Sequence, residues 1–388
     1  MAIKPLTLDR VLSEGVIGAK RREASFYDES CGDLRETVLY GAGKLGRKVL
    51  RTLTDQQASP IAICDANPDL WGTFINGVPI MAPAEAVKHY GDTAVFVICT
   101  WSPGSDRTHS VISEYLKFLG CHSVVSFIPL FWKYHESCLP YYRIDLPHKL
   151  MAAKDHVLGA FDLLEDERSR DEFVCQVQWL IEPQLEALKD ESVLEDIYFP
   201  RELFSLLQDE YFVDCGAFDG DTIDAFLKAS NNVFRGIHAF EPDPSSYELL
   251  RRYVNSLAGD VQAKIIISDK AVSDVETKYM MDARGELTSC ISDLGSVQIS
   301  SLLLDRAVTE RVSYIKMDLE GFETQALEGA TRIIQEDAPR LAISIYHRQD
   351  HLWNLPLQIK SYNQGYKLHL RRHGGTFGDV VCYALPRE

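Results

Sequence analysis

The sequence predicts an α/β protein built from two Rossmann-like, doubly wound domains. Two observations predict it. Twice, at residues 37–46 and 211–222, an apolar strand-like run passes through a glycine turn into a helix-like segment. Both times the next apolar run ends on an acid, Asp65 in the first case and Glu241 in the second. Each unit therefore repeats the opening of a nucleotide-binding sheet.

Length and composition agree with this reading. A chain of 388 residues is the natural size for two domains, and 46% hydrophobic residues is enough for two cores. The net charge of −17 argues against a nucleic-acid backbone or an anionic membrane as partner. Residues 1–36 are polar, mixed in charge and lack the apolar stretch of a secretory signal, so they read as an N-terminal extension. The longest clear apolar run, 94–101, is too short to span a bilayer and reads as a strand. Nine cysteines without a CxxC pair are expected as buried free thiols in a reducing compartment, hence a cytoplasmic location.

The first domain is expected over 37–130. After the strand 37–40, Gly41, Gly43 and Gly46 form a GxGxxG turn before a helix at 44–53. The strand 61–64 then ends on Asp65, the expected ribose acceptor of a dinucleotide. Further elements follow as helix 83–90, strand 94–99, helix 110–119 and strand 123–127. This pattern fits a nucleotide or nucleotide-sugar site at Gly41, Gly43, Gly46 and Asp65. It also fits an NAD(P) oxidoreductase site, or a scaffold or dimerisation domain that keeps the glycines for packing. Residues 131–196 read as a linker, aromatic at first (Phe131, Trp132, Tyr134, Tyr141, Tyr142) and then helical over two segments within 151–188. Residues 197–200 precede the second glycine turn and are expected at the lip of its site.

The second domain, 197–388, opens on YFVDCGAFDGD. Its loop residues Asp214, Gly216, Ala217, Phe218, Asp219, Gly220 and Asp221 combine glycines with carboxylates. Glycines let a ligand approach the backbone, and a helix N-terminus follows, with Asp219 or Asp221 expected near its cap. The acids would repel phosphates but suit a cationic ligand that carries a ribose, which S-adenosylmethionine is. Glu241, at the end of the next strand, can accept both ribose hydroxyls. The motifs DCGAFDGDT, HAFEPDP, DKAVSD, YIKMDLEGFE and SIYHRQDHLWNLP, in this order, resemble the FkbM family of S-adenosylmethionine-dependent methyltransferases. The resemblance covers about residues 197–385. It implies a class I methyltransferase fold with a reversed edge strand, supplied by the runs 366–370 and 380–385. It also implies methyl transfer to a hydroxyl of a sugar, glycan or related secondary product, and it sets Ala271 and Val272 beside the adenine.

Three acids and a histidine stand at the ends of the remaining strands. Asp318 closes the run 314–318, with Glu320 and Glu323 just beyond it, and His347 follows the run 341–345. Ligands of open α/β sheets sit at such carboxyl ends. Asp318 is expected nearest the sulfonium and the acceptor, and His347 is the preferred general base, because a histidine titrates near the working pH. His351 is the next candidate. Asp318, Glu320 and His347 are also the residues that could hold Mg²⁺ if a metal activates the acceptor. Segments 278–281 and 285–291 read as a flap in which Gly285, Thr288 and Ser289 could cover the cofactor. The expected partners are a small-molecule or glycan acceptor and, for the whole chain, a second copy in a homo-oligomer.

Overall fold

Short apolar runs flanked by glycine become the central strands of two sheets in the computed structural model, which describes residues 7–31, 36–100, 109–182, 197–282, 290–291, 295–374 and 379–387. The chain divides into two units. The first comprises Met1–Lys154, Val174–Glu191 and Gly374–Gly378; the second comprises Asp155–Phe173, Ser192–His373 and Asp379–Glu388.

In the first unit, the strand Glu36–Tyr40 pairs in parallel with Ala62–Cys64 on one side and Ala94–Ile98 on the other. Ser123–Ser126 extends one edge, and the antiparallel pair Phe74–Ile75 and Val78–Met81 closes the other. The chain therefore reverses its strand order next to Glu36–Tyr40, and the 41–46 turn lies at that switch point. The run Ala94–Ile98 is buried on both faces, which explains its unbroken apolar sequence. Val38, Ala62, Phe96, Ile112 and Leu116 share the core. Part of the expected extension is structured, because Gly15–Cys31 is a helix packed on Ile128–Lys133 and Pro147–Ala152. Phe131 and Trp132 are buried in the same unit.

The second unit has a seven-stranded sheet. Its order is Lys367–His373, Asp379–Leu385, Arg340–Ser344, Tyr314–Met317, Tyr211–Cys215, Gly236–Phe240 and Ile265–Ser268. The last five are mutually parallel, and Asp379–Leu385 runs against its neighbours on both sides. The reversed strand is thus second from the margin, with Lys367–His373 outside it. Phe212 stacks on Phe226 at 4.8 Å, and Phe199 and Tyr314 close the same aromatic core. Two helices, Lys154–Asp162 and Glu167–Ile181, lie within the stretch expected to hold two, and the short helix Pro147–Ala152 leads into it. Asp166 makes the last break by accepting the Ser169 N–H at 2.7 Å. An accessory sheet joins Ala271–Val272, Val297–Leu302, Lys278–Asp282 and Cys290–Ile291. The flap residues Gly285, Thr288 and Ser289 lie outside the described residues.

Candidate active site

The site starts from the end of Tyr211–Cys215. Gly216 adopts φ +83°, and a Cβ there would stand 2.0 Å from the Asp318 carbonyl oxygen, so only glycine fits. The Asp318 N–H in turn donates to the Cys215 carbonyl at 3.0 Å. The glycine loop and the end of Tyr314–Met317 are therefore in direct contact. Phe218 is also left-handed, at φ +46°. Gly220, at φ +98°, is the N-cap of Asp221–Ala229, with both acids expected near the cap beside it. Asp219 and Asp221 flank it: Asp219 accepts the Asp221 N–H at 3.2 Å, and Asp221 accepts the Thr222 N–H at 2.6 Å.

Two buried acids anchor this loop from below. Asp214 is fully buried and pairs with the equally buried Lys316, Nζ to Oδ1 at 3.1 Å. Lys316 Nζ also donates to the Gly216 carbonyl at 2.6 Å. Burial pushes the Asp214 carboxyl above its ordinary range against the pull of Lys316. Burial opposes the Lys316 charge, but Asp214, Asp318 and Asp221 overcome it and hold the ammonium above its usual range. Glu241 accepts the Phe218 N–H at 2.9 Å on one oxygen and the Asp243 N–H at 2.8 Å on the other. Burial raises its pKa to about 7, although those two N–H groups pull the other way. Asp65 does the same in the first unit, accepting the Ala42 N–H at 2.7 Å and the Asn67 N–H at 2.8 Å. There Gly41 is left-handed at φ +111°, a Cβ on Gly46 would stand 1.9 Å from the Gly41 carbonyl oxygen, and Gly43 faces open space.

The second group gathers around Asp318. Its Oδ2 accepts the Tyr198 hydroxyl at 2.7 Å, and its Oδ1 accepts the Tyr346 hydroxyl at 3.3 Å. His347 Nε2 stands 3.2 Å from Asp318 Oδ1 and 3.9 Å from Glu320 Oε1. The other ring nitrogen, Nδ1, is 2.7 Å from Glu323 Oε1. Glu323 is fully buried, accepts the Leu319 N–H at 2.7 Å and lies 3.3 Å from His351 Nδ1. Glu320 and Gly321 are consecutive left-handed residues, at φ +52° and +103°, and this turn folds the acids back toward the histidine.

Electrostatics follow from this crowding. Burial disfavours charge on His347, but Glu323, Glu320 and Asp318 outweigh it and lift its pKa to about 10. Burial likewise opposes ionisation of Glu323, yet His347 and His351 hold that carboxyl well below the usual range. Glu320 goes the other way, raised to about 8 by burial in spite of His347. Carboxylates thus surround the imidazole of His347, the residue expected as general base. His351 is held by Glu323 from the other side.

Asp214, Gly216, Ala217, Phe218, Glu241 and Asp318 come together through the contacts above, as do Asp318, Glu320 and His347. Ala271 and Val272 are buried in the accessory sheet, where Ala271 packs with Met281 and Ile299. Sequence reading gave no role to Tyr198 as a partner of Asp318, nor to Asp379, whose charge acts on Tyr198, Glu320 and Tyr346. Tyr198 carries one local signal, a left-handed φ of +67°, which no sequence pattern announces.

Comparison with known proteins adds to this geometry. No curated protein matches the sequence. A crystal structure of methyltransferase FkbM from Methylobacillus flagellatus is similar over 98% of this chain and 100% of its own, at 19% identity and a TM-score of 0.79. A putative rRNA methylase from Clostridium thermocellum covers 52% of this chain and 99% of its own, at 10% identity and a TM-score of 0.34. A putative methyltransferase from Streptococcus mutans, in complex with SAH, covers 48% of this chain and 98% of its own, at 14% identity and a TM-score of 0.31. Scores that low bear no argument, whereas the first likeness gives the fold for the whole chain. Residues 214–368 match the family model of the methyltransferase FkbM domain, which spans the glycine loop, Glu241 and the Asp318–His347 cluster.

Proposed function

We propose that the second unit is an S-adenosylmethionine-dependent O-methyltransferase acting on a hydroxyl of a sugar, a glycan or a related secondary product. The observation that carries this reading is the contact between Gly216 and Asp318, which brings the acidic glycine loop and the carboxylate–histidine cluster to one rim. The residues fit the cofactor's chemistry. The left-handed Gly216 and Gly220 keep the loop free of side chains, and Asp221 and Asp318 offer negative charge to a sulfonium and an ammonium. Glu241 has used one lone pair on each oxygen for Phe218 and Asp243, and the remaining lone pairs can accept ribose hydroxyls.

S-adenosylmethionine, when bound, supplies a methyl already activated for in-line displacement. The chain's own residues then have two tasks: to align the acceptor and to receive its proton. Asp318, fixed by Tyr198, Tyr346 and His347, faces the acceptor, and the proton enters the cluster of Asp318, Glu320 and His347. Hydride chemistry at the first glycine turn is not favoured, because the family match lies in the second unit, over residues 214–368. Calorimetry with S-adenosylmethionine, followed by transfer of its labelled methyl to a panel of glycans and glycosides, tests the reading. Saturable binding is expected, with label that stays on the acceptor through alkaline treatment, as a methyl ether does and a methyl ester does not. A folded protein that binds no S-adenosylmethionine overturns it.

A further inference from the structure

We infer that the Asp318–His347 cluster is a binding site for a divalent transition-metal ion, with Asp318, Glu320 and His347 Nε2 as its protein ligands and Glu323 as the residue that aims the imidazole.

The argument begins with the imidazole. His347 is 3% exposed, and its Nδ1 is engaged by Glu323 at 2.7 Å. Its Nε2 is buried and makes no hydrogen bond, although Asp318 Oδ1 is only 3.2 Å away. A short separation without a hydrogen bond means that the ring's N–H direction misses the oxygen. Donors held about 2.1 Å from one ion in adjacent coordination positions lie roughly 3 Å apart, and wider positions give up to roughly 4 Å. The distances from Nε2 to Asp318 and Glu320, 3.2 and 3.9 Å, fall in that range.

Ligand identity follows from the side of the ring each acid occupies. Asp318, Glu323 and His347 all lie close enough to share an ion. Glu323, however, sits on the Nδ1 side, is fully buried and is held by the Leu319 N–H and His351. It is therefore the carboxylate that fixes the tautomer and orientation of a metal-binding histidine, an arrangement common behind such ligands. Glu320, with Oε1 3.9 Å from Nε2, is the carboxylate offered for the third position. One nitrogen and two oxygens form a mixed donor set that suits Mn²⁺ or another first-row ion better than Mg²⁺, which prefers oxygen throughout. Tyr198 and Tyr346 orient Asp318 from its outer side, and three protein ligands leave positions open for water or an acceptor oxygen.

Ion binding rests on the cluster alone; its use, lowering the pKa of an acceptor hydroxyl, rests on the methyltransferase reading. The two are separated by measuring Mn²⁺ binding without cofactor or acceptor. The full chain, stripped with EDTA, is titrated with Mn²⁺ in high salt and followed by electron paramagnetic resonance. Saturable binding is expected, with a rise in melting temperature. Asp318→Asn and His347→Gln, both close in shape to the native residues, each weaken it by more than about tenfold, and Glu323→Gln weakens it by about 10–100-fold while all three ligands remain. Wild-type protein without saturable binding overturns the site. So does binding that survives Asp318→Asn and His347→Gln, which would mark ordinary attraction to a chain of net charge −17. If one variant fails to fold, the other two decide.

Discussion

Glu241 shows how a single buried carboxylate can organise a glycine loop and still be proposed to hold a ligand. Its two oxygens staple the glycine loop to the following turn through Phe218 and Asp243, and burial holds its pKa near 7. In the unfolded chain the same group titrates at about 4.3. Between those values the folded protein binds the extra proton, so stability from this group falls as pH rises through that window and is greatest below it. Cofactor affinity has the opposite slope, since the ionised carboxylate is the better acceptor for ribose hydroxyls. Binding of S-adenosylmethionine should therefore strengthen as pH rises through about 7, while thermal stability declines from pH 4.5 upward. Glu241→Ala should weaken binding by about 2–4 kcal/mol and remove both slopes. Calorimetry and melting curves across pH 5–8 would show it, and unchanged affinity in the variant would remove Glu241 from the ribose site. Sequence position placed Glu241 at the carboxyl end of its strand, where the structure has it. That its oxygens already hold backbone N–H groups was not legible, because hydrogen-bond partners across a loop depend on left-handed residues such as Phe218, which no sequence rule requires.

At the scale of elements, the strand–turn–helix units were legible because their signals are local. An apolar run of five residues buried on both faces, a glycine that must be left-handed, and a Pro-opened helix capped by Asp243 each depend on neighbours in sequence. The reversed strand was legible as half of a hairpin. Its place inside Lys367–His373 was not, since lateral order is set by which strand Arg340–Ser344 accepts as partner. The charge around His347 was not legible for the same reason: its partner Glu323 comes from another element, Glu323–Glu328, which the strand end does not reveal. Gly216 tests the element as a unit. A Cβ there meets backbone, the Asp318 carbonyl, so no side chain can yield to it. Gly216→Ala should strain the turn and push the end of Tyr314–Met317 away from the loop. An expected cost of about 1–3 kcal/mol in chemical denaturation should accompany loss of both S-adenosylmethionine and Mn²⁺ binding. A variant that loses only the cofactor would mean that the loop and the Asp318 rim are not coupled.

For the whole molecule, the question is where the methyltransferase unit begins. The sequence reading set its start at 197, after a helical linker, and a fragment beginning near residue 194 would follow from that boundary. The structure assigns Asp155–Phe173 to the same unit as the seven-stranded sheet. The physical reason lies at the margin of that sheet. Leu164 bridges to Leu368, and Glu165 donates its N–H to the Leu368 carbonyl at 3.0 Å. Arg371, only 5% exposed, donates to Asp166 at 2.9 Å and to Ser169. Removing 155–173 would leave this guanidinium with Glu202 as its remaining acid partner and uncover the outer strand. Breaking a buried ion pair by deleting one side costs about 3–5 kcal/mol, and an uncovered edge strand invites association. A fragment of residues 155–388 should therefore be monodisperse, melt cooperatively and bind S-adenosylmethionine with the affinity of the full chain. The fragment 194–388 should express poorly or aggregate. Size-exclusion chromatography, melting curves and calorimetry on the pair decide between the boundaries. Equal behaviour of the two fragments would return the start of the unit to residue 197.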